Sequence, residues 1–135
     1  MKVVLDTNVI MSGLFFGGVP AEILLAWRRG TITIVVSSEI LEEYWATGAR
    51  LAERFPPVNP APFLRLVSAG ALLVKPHRLL ESACDDPDDD KFLECAIAST
   101  ASAIVTGDKA LLRLSPFRGI PIVKPRALAE GLFRT

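Results

Sequence analysis

The sequence is poor in the side chains that many enzymes use as nucleophiles and bases. It contains one histidine, His77, and two cysteines, Cys84 and Cys95. His77 follows a predicted strand in a loop, and the two cysteines lack the spacing of a metal-binding motif. We interpret the histidine as a surface or packing residue and the cysteines as reduced packing residues. A serine–histidine–aspartate or cysteine–histidine centre is therefore not supported.

The sequence also lacks an excess of charge and a long hydrophobic run. Fifteen basic and fifteen acidic side chains cancel, so binding to nucleic acid would need a local basic patch. No apolar run approaches the ~20 residues of a membrane span, and no signal sequence precedes the first strand. We expect a cytoplasmic protein that does not enter a membrane. Half of the residues are hydrophobic, which favours a homodimer, a higher homo-oligomer or a permanent partner.

Strand and helix signals alternate along the 135 residues, which predicts a single domain over residues 1–135. The strands are continuous apolar runs, typical of a parallel sheet covered on both faces. The predicted fold class is α/β, a three-layer α/β/α sandwich with about five parallel strands. The predicted strands are Lys2–Leu5, Thr31–Val36, Ala71–Val74, Ala103–Thr106 and Ile120–Val123. The predicted helices are Ala21–Arg29, Ser37 or Ser38 to about Ala46, Phe63–Ala69, Asp86 to about Thr100, Lys109–Leu114 and Pro125–Phe133, with Gly48 ending or interrupting the second.

Four acidic side chains follow strand ends or begin helices, and they are the main functional signal. Asp6 follows the first strand, Glu43 comes shortly after the second, Asp89 begins a helix, and Asp108 follows the fourth strand. Open α/β sheets bind ligands outside the carboxyl ends of their strands. We therefore expect these four carboxylates to share one crevice.

Carboxylates that converge in this way need a cation. Two of them ~4 Å apart repel by about 4 kcal/mol at an effective dielectric of about 20. Mg²⁺ and Mn²⁺ are the natural partners of hard oxygen ligands. The resulting hypothesis is hydrolysis of a phosphodiester, in which bound metal activates water and no histidine base is required.

The third acid has to be chosen from the run CDDPDDDK. Pro87 suits the first position of a helix, so Asp86 is the expected N-cap. On a helical wheel, Asp89 falls near the centre of the apolar face, and Asp88 and Asp90 fall about a quarter turn or more to either side. This projection favours Asp89, although Asp86, Asp88 and Asp90 remain alternatives. The apolar face used for the projection comprises Phe92, Leu93, Ala96, Ile97 and Thr100.

Each acid also has a purely structural interpretation. Asp6, Asp89 and Asp108 could each cap the helix that follows. Glu43 could merely complement a helix dipole or pair with a surface cation. Thr7 and Asn8 could likewise cap a helix, or they could present a hydroxyl and an amide to metal-bound water or a phosphate.

With these positions in view, the chain resembles the PIN-domain family, in particular its VapC-like toxins of toxin–antitoxin systems. The resembling segments are VVLDTNVIMSGL, SSEILEEY, DDPDDDKFLECAIASTA and AIVTGDKALL. The resemblance implies a parallel-sheet α/β/α fold and a Mg²⁺- or Mn²⁺-dependent endoribonuclease. It also implies homodimers and a small antitoxin protein that blocks the site.

Carried over by position, the resemblance assigns Asp6, Glu43, Asp89 and Asp108 as catalytic residues and metal ligands. It places Thr7, Asn8 and Thr106 at polar outer positions, and we add Asp86 and Lys109 as outer-shell or substrate candidates. Asp85 stands where many members have a basic residue.

The expected substrate is single-stranded or structured RNA, and single strands are preferred over duplex because exposed bases are the usual targets of sequence-selective readers. The candidate phosphate contacts are Arg28, Arg29, Lys109, Arg113 and Arg126. An alternative is a catalytically silent PIN-like module that only binds a partner. A phosphoacceptor receiver domain is disfavoured, because the first strand carries one acid and the third runs into Lys75 and Pro76.

Overall fold

The computed structural model describes residues 1–132. Within them, strands and helices alternate as the sequence predicts. The strands are β1 (Lys2–Leu5), β2 (Thr33–Val36), β3 (Leu72–Leu73), β4 (Ala103–Val105) and β5 (Ile122–Val123). The helices are α1 (Thr7–Phe15), α2 (Gly18–Arg28), α3 (Ser38–Arg54), α4 (Ala61–Gly70), α5 (Asp90–Ser99), α6 (Lys109–Leu112) and α7 (Pro125–Leu132), and a 3₁₀ turn at Pro87–Asp89 precedes α5.

The strands form one parallel sheet in the order β3-β2-β1-β4-β5. This arrangement confirms the predicted α/β/α class. Strands β2 and β3 extend the sheet to one side of β1, and β4 and β5 extend it to the other. The strand order therefore reverses between β1 and β4, where open sheets of this class bind ligands.

The hydrophobic core is centred on the two strands at that reversal. Val3, Val4 and Leu5 of β1 and Ile104 and Val105 of β4 are all fully buried. They are buried because helices cover the sheet, and α5 packs against β1, β2 and β4. The continuous apolar strands of the sequence are thus explained by cover on both faces.

Helix α3 is longer than predicted, because Gly48 does not end it. Gly48 is buried within the helix, and a Cβ there would lie 3.1 Å from Leu64 Cδ1 and 3.4 Å from Pro60 Cγ. The glycine therefore allows α4 to pack closely against α3. The prediction that it ends or interrupts the helix was wrong, because this contact is tertiary and leaves no local signal.

The segment before α5 also differs from prediction. The predicted helix begins as a 3₁₀ turn, and it ends at Ser99 because Thr100 adopts a left-handed conformation with φ of 50°. Phe92, Leu93 and Ala96 are buried as expected. Thr100 is exposed, so its place on the inward face was wrong. The predicted end of α7 at Phe133 lies outside the described residues.

No single helix within residues 1–132 is long and apolar enough to cross a membrane. Helices α1 and α2 together have the required length and composition, but they are bent by 98° at the break between them.

Candidate active site

One surface cavity of about 340 Å³ lies beyond the carboxyl ends of β1 and β4. All four acids singled out in the sequence line it. Three of the five expected outer residues, Thr7, Asn8 and Asp86, line it as well, whereas Thr106 and Lys109 do not. Its lining residues are Asp6, Thr7, Asn8, Glu43, Thr47, Arg50, Asp86, Asp88, Asp89 and Asp108.

Asp6 is the most buried of these acids, with 7% of its surface exposed. Its backbone N–H donates to the Val105 carbonyl at 2.9 Å, which continues the pairing of β1 with β4 and fixes the residue at the strand end. Its side chain does not cap α1; instead Oδ2 accepts a 2.6 Å hydrogen bond from Thr106 Oγ1. Burial raises the pKa of Asp6, and the charges of Asp108 and Glu43 raise it further, against the opposing hydrogen bond from Thr106.

Thr106 links Asp6 to Asp108. Its fully buried hydroxyl donates to Asp6 and also accepts a 3.0 Å hydrogen bond from the Asp108 backbone N–H. Asp108 caps α6, since its Oδ1 accepts a 2.9 Å hydrogen bond from the Ala110 N–H. Asp108 therefore caps α6, as its structural interpretation expected, and it also lines the cavity.

The aspartates before α5 divide into distinct positions. Asp86 caps the 3₁₀ turn, because its Oδ1 accepts from the Asp88 N–H at 3.0 Å. Asp89 makes no cap and lines the cavity. Asp90 points into the preceding loop, where its Oδ1 accepts from the N–H groups of Ala83 and Cys84 at 3.2 and 3.0 Å.

The charge environments of Asp89 and Asp90 differ accordingly. Burial, followed by the charges of Asp6, Asp86 and Asp108, raises the pKa of Asp89 to about 6. At Asp90, burial raises the pKa, but hydrogen bonds from the loop outweigh it and leave the pKa below its usual value. Burial and neighbouring carboxylates therefore disfavour the charged form of Asp89, whereas hydrogen bonds from the loop favour the charged form of Asp90.

Glu43 is held by two partners. It projects from α3 beside Tyr44, whose buried hydroxyl donates to the Leu5 carbonyl at 2.6 Å and so fixes this turn of α3 against the end of β1. Glu43 Oε1 accepts a hydrogen bond from Thr7 Oγ1, and Oε2 forms an ion pair with Lys91 Nζ. Both carboxylate oxygens are thus engaged within the protein.

Lys91 is a residue of the site that sequence reasoning missed. Only 5% of its side chain is exposed, and its ammonium contacts Glu43, Asp88 Oδ2 and the Asp88 carbonyl, the last two at 3.0 Å. Burial lowers its pKa, but these acidic contacts outweigh burial, and the pKa lies above its usual value. The local signal was its position three residues after Asp88. Its pairing with Glu43, 48 positions earlier in the chain, has no local signal.

Two further lining residues, Thr47 and Arg50, were also missed. They follow Glu43 by one and two helical turns, so the helical period of α3 could have revealed them. Arg50 Nη2 donates to Thr47 Oγ1 at 3.1 Å. Arg50 therefore supplies a guanidinium at the wall of a cavity whose other charged lining residues are acids.

The basic residues expected to contact substrate are not gathered at the cavity. Arg28 ends α2 and Arg29 follows it, just before the amino end of β2, so both lie at the opposite edge of the sheet. Neither residue lines the cavity, because α2 returns the chain to the far end of the next strand, and their contact with substrate phosphate stays a prediction. Arg113 is exposed and lies 3.8 Å from Asp85, which offsets some of the acidity at that position.

The cysteines and the histidine have no place in the cavity. Cys84 and Cys95 are free thiols, and Cys95 is fully buried. Burial raises the pKa of Cys95 to about 12, so its thiol is protonated at neutral pH. His77 is exposed in the loop after β3.

The donor set fits a hard divalent cation in its chemistry. Asp6, Glu43, Asp89 and Asp108 supply only oxygen ligands. Burial, and after it the charges of neighbouring acids, raise the pKa values of Asp6 and Asp89, and a cation would offset both effects. Within residues 1–132, no three His, Cys, Asp or Glu side chains stand close enough to hold an ion without moving. Three of the carboxylates are engaged by protein groups instead: Asp6 by Thr106, Glu43 by Lys91 and Asp108 by the α6 backbone. Small side-chain movements would therefore be needed for ligation.

Comparison with known proteins agrees with this architecture. Residues 2–110 match the model of the PIN domain, which covers most of the chain and all four acids. The chain is also 33% identical over 118 residues to the uncharacterized protein MJ1680 of Methanocaldococcus jannaschii, covering 84% of this chain and 75% of that protein. The chain therefore belongs to the PIN-domain family, whose members are generally nucleases that use divalent metals.

Proposed function

We propose that this protein is a Mg²⁺- or Mn²⁺-dependent endoribonuclease that hydrolyses phosphodiester bonds. The observation that carries the proposal is the meeting of Asp6, Glu43, Asp89 and Asp108 in one cavity at the switch point of the sheet. No serine, cysteine or histidine is among the described residues that line the cavity, and its two threonines, Thr7 and Thr47, have no histidine base beside them. Hydrolysis must therefore depend on water that the acidic centre activates.

The chain's own residues have separable parts in this proposal. Asp6, Asp89 and Asp108 offer carboxylate oxygens, and Glu43 completes the acidic centre. When bound there, a divalent ion would lower the pKa of water and offset the charge of the phosphate. Thr106 orients Asp6 through its hydroxyl, and the Asn8 amide and the Arg50 guanidinium are positioned to donate to phosphate oxygens.

Single-stranded RNA suits the dimensions of the site. A cavity of about 340 Å³ lies within the usual size range for a small ligand (about 300–1,000 Å³), so it suits a nucleotide unit better than a duplex. Thr7, Asn8 and Thr47 place hydroxyl and amide groups along its wall. Such groups can donate to or accept from a ribose 2′-hydroxyl, the group that distinguishes RNA from DNA.

The test is cleavage of defined single-stranded RNAs, with matching DNA and duplex RNA, in the presence of Mn²⁺, Mg²⁺ or a chelator. We expect cleavage of the single-stranded RNA that needs the metal and is lost in Asp6→Asn. Asp85→Asn is a matched control, because it removes an exposed carboxylate from the same acidic segment that does not line the cavity. Metal binding without cleavage of any substrate would instead favour the catalytically silent binding module.

We further propose that the nuclease is the toxin of a toxin–antitoxin pair and that it self-associates. Self-association is supported by three exposed apolar side chains: Phe16, which follows α1, Leu25 on α2 and Leu66 on α4. Sedimentation of the purified protein tests self-association. Induction of the chain, with and without the product of a neighbouring reading frame, tests the toxin role; growth arrest that the neighbour relieves is the expected result.

A further inference from the structure

Lys91 contacts two acids that line the cavity, Glu43 and Asp88, while only 5% of its own side chain is exposed, and the mechanism above gives it no part. Lys91 belongs to α5 and lies among its buried residues, and its ammonium lies between Glu43 of α3 and Asp88 of the 3₁₀ turn. A buried ammonium costs free energy unless charged or polar partners surround it. Glu43 and Asp88 provide these partners, so the lysine and its acids must be considered together.

The contacts of Lys91 determine what Glu43 can do. Lys91 engages one oxygen of Glu43 and Thr7 engages the other. Direct ligation of a cation by Glu43 would therefore require it to release a partner, whereas Asp89 has no protein hydrogen bond to release in the described contacts. Each carboxylate oxygen has a second lone pair, so Glu43 can still accept a hydrogen bond from water in its present position.

We propose that Lys91 is a positioning residue, an internal cation that holds Glu43 beside the divalent-metal centre of Asp6, Asp89 and Asp108 and outside its direct ligands. The inference rests on the proposed metal-dependent function and deepens it. Because the ammonium offsets the charge of Glu43, the Lys91–Glu43 pair adds little net charge beside the metal centre. Glu43 is thereby reserved for hydrogen bonding to water or substrate at the edge of the centre.

The charges of the pair lead to a specific pattern of metal affinities. Lys91→Met removes the cation and leaves Glu43 free and negative, so Mn²⁺ should bind about tenfold more tightly. Glu43→Gln leaves the ammonium without its main partner, so Mn²⁺ should bind about tenfold more weakly. In the double variant both charges are absent, and its affinity should return to within about threefold of the unmodified protein.

The experiment is a calorimetric titration of the folded, full-length proteins with MnCl₂. Lys91→Arg should retain the original affinity, since it keeps the charge. Lys2→Met is a matched control, because Lys2 also donates to a backbone carbonyl, that of Ser99 at 3.1 Å, but at the opposite edge of the sheet. RNA cleavage by Lys91→Met should fall even though its metal binds more tightly, a divergence that a purely structural role would not produce.

The double variant distinguishes the two roles of Glu43. If Glu43 is a direct ligand, the double variant will bind Mn²⁺ clearly more weakly than the unmodified protein, by well over the roughly threefold limit stated above, and the inference is overturned. An unchanged affinity in Lys91→Met also overturns it. If Lys91→Met does not fold, the comparison of the double variant with the unmodified protein still decides, because removing both partners of a buried pair is tolerated better than removing one. Absence of Mn²⁺ binding to the unmodified protein would overturn both this inference and the proposed metal-dependent function.

Discussion

The two edges of the sheet use polar groups in opposite ways. At the amino edge, backbone groups pair with one another: Ser102 N–H donates to the Lys2 carbonyl, and Thr33 N–H donates to the Met1 carbonyl, each at 2.8 Å. At the carboxyl edge, Asp6 and Asp89 face like charges, and the pKa of each is raised. The first arrangement closes the fold. The second arrangement leaves negative charge that an added cation can offset. This difference identifies the carboxyl edge as the place of the candidate site.

Asp6→Asn should produce the largest change at the carboxyl edge. The variant loses the most buried carboxylate of the cavity, so we expect RNA cleavage to fall by at least about 100-fold and the stabilisation by metal to disappear. The metal-free protein should remain folded, because a neutral amide relieves the cost of a buried charge. Cleavage assays and thermal unfolding with and without Mn²⁺ measure both effects. An unchanged cleavage rate would remove Asp6 from the mechanism.

Thr106→Val should produce the next largest effect, because it removes the hydroxyl that joins Asp6 to the Asp108 backbone. Loss of such an orienting group typically weakens metal affinity or activity by about 10–100-fold. Thr106→Ser keeps the hydroxyl and should recover most of the activity. If valine and serine behave alike, the buried hydroxyl does not orient Asp6.

The pH dependence of stability gives a smaller effect that is specific to the carboxyl edge. The pKa of Asp89 is about 6 in the folded protein, against 3.8 ordinarily, so the folded state binds this proton more tightly than the unfolded state. The contribution of Asp89 to the free energy of unfolding should therefore decline as pH rises between these two values. Urea unfolding of the metal-free protein and of Asp89→Asn across this range isolates the contribution. A difference between the two proteins that does not change with pH would contradict the assignment.

Lys2→Met should produce the smallest effect and completes the contrast. It removes one hydrogen bond from an exposed lysine to the Ser99 carbonyl, so we expect a loss of stability below about 1 kcal/mol. RNA cleavage and Mn²⁺ affinity should be unchanged. A large loss of activity would show that the two edges are coupled, against the separation described above.

The sequence was sufficient to predict the features that depend on local pattern. Apolar runs predicted all five strands, and the carboxyl ends of those strands predicted where Asp6 and Asp108 would lie. The helical wheel selected Asp89 over Asp90, and the structure places Asp89 in the cavity and Asp90 in the loop. The roles of the four acids in metal binding and catalysis stay predictions.

Features that depend on tertiary contacts could not be predicted from the local pattern of the sequence. Gly48 has the local signature of a helix end, but its missing side chain allows α4 to approach α3. Lys91 has the appearance of an ordinary first-turn lysine, and only the folded chain brings Glu43 to its ammonium. Arg28 and Arg29 lie away from the cavity because α2 returns the chain to the amino end of β2, and their contact with substrate phosphate stays a prediction.

The most direct test of the account is the anomalous scattering of Mn²⁺ in crystals of the protein grown or soaked with that ion. We expect a peak in the cavity whose ligand oxygens, at about 2.0–2.3 Å, belong to Asp6, Asp89 and Asp108 or to ordered waters that these residues hold, with Glu43 still paired to Lys91. A peak at another surface, or an empty cavity at saturating Mn²⁺, would contradict the central claim that these carboxylates form a metal centre.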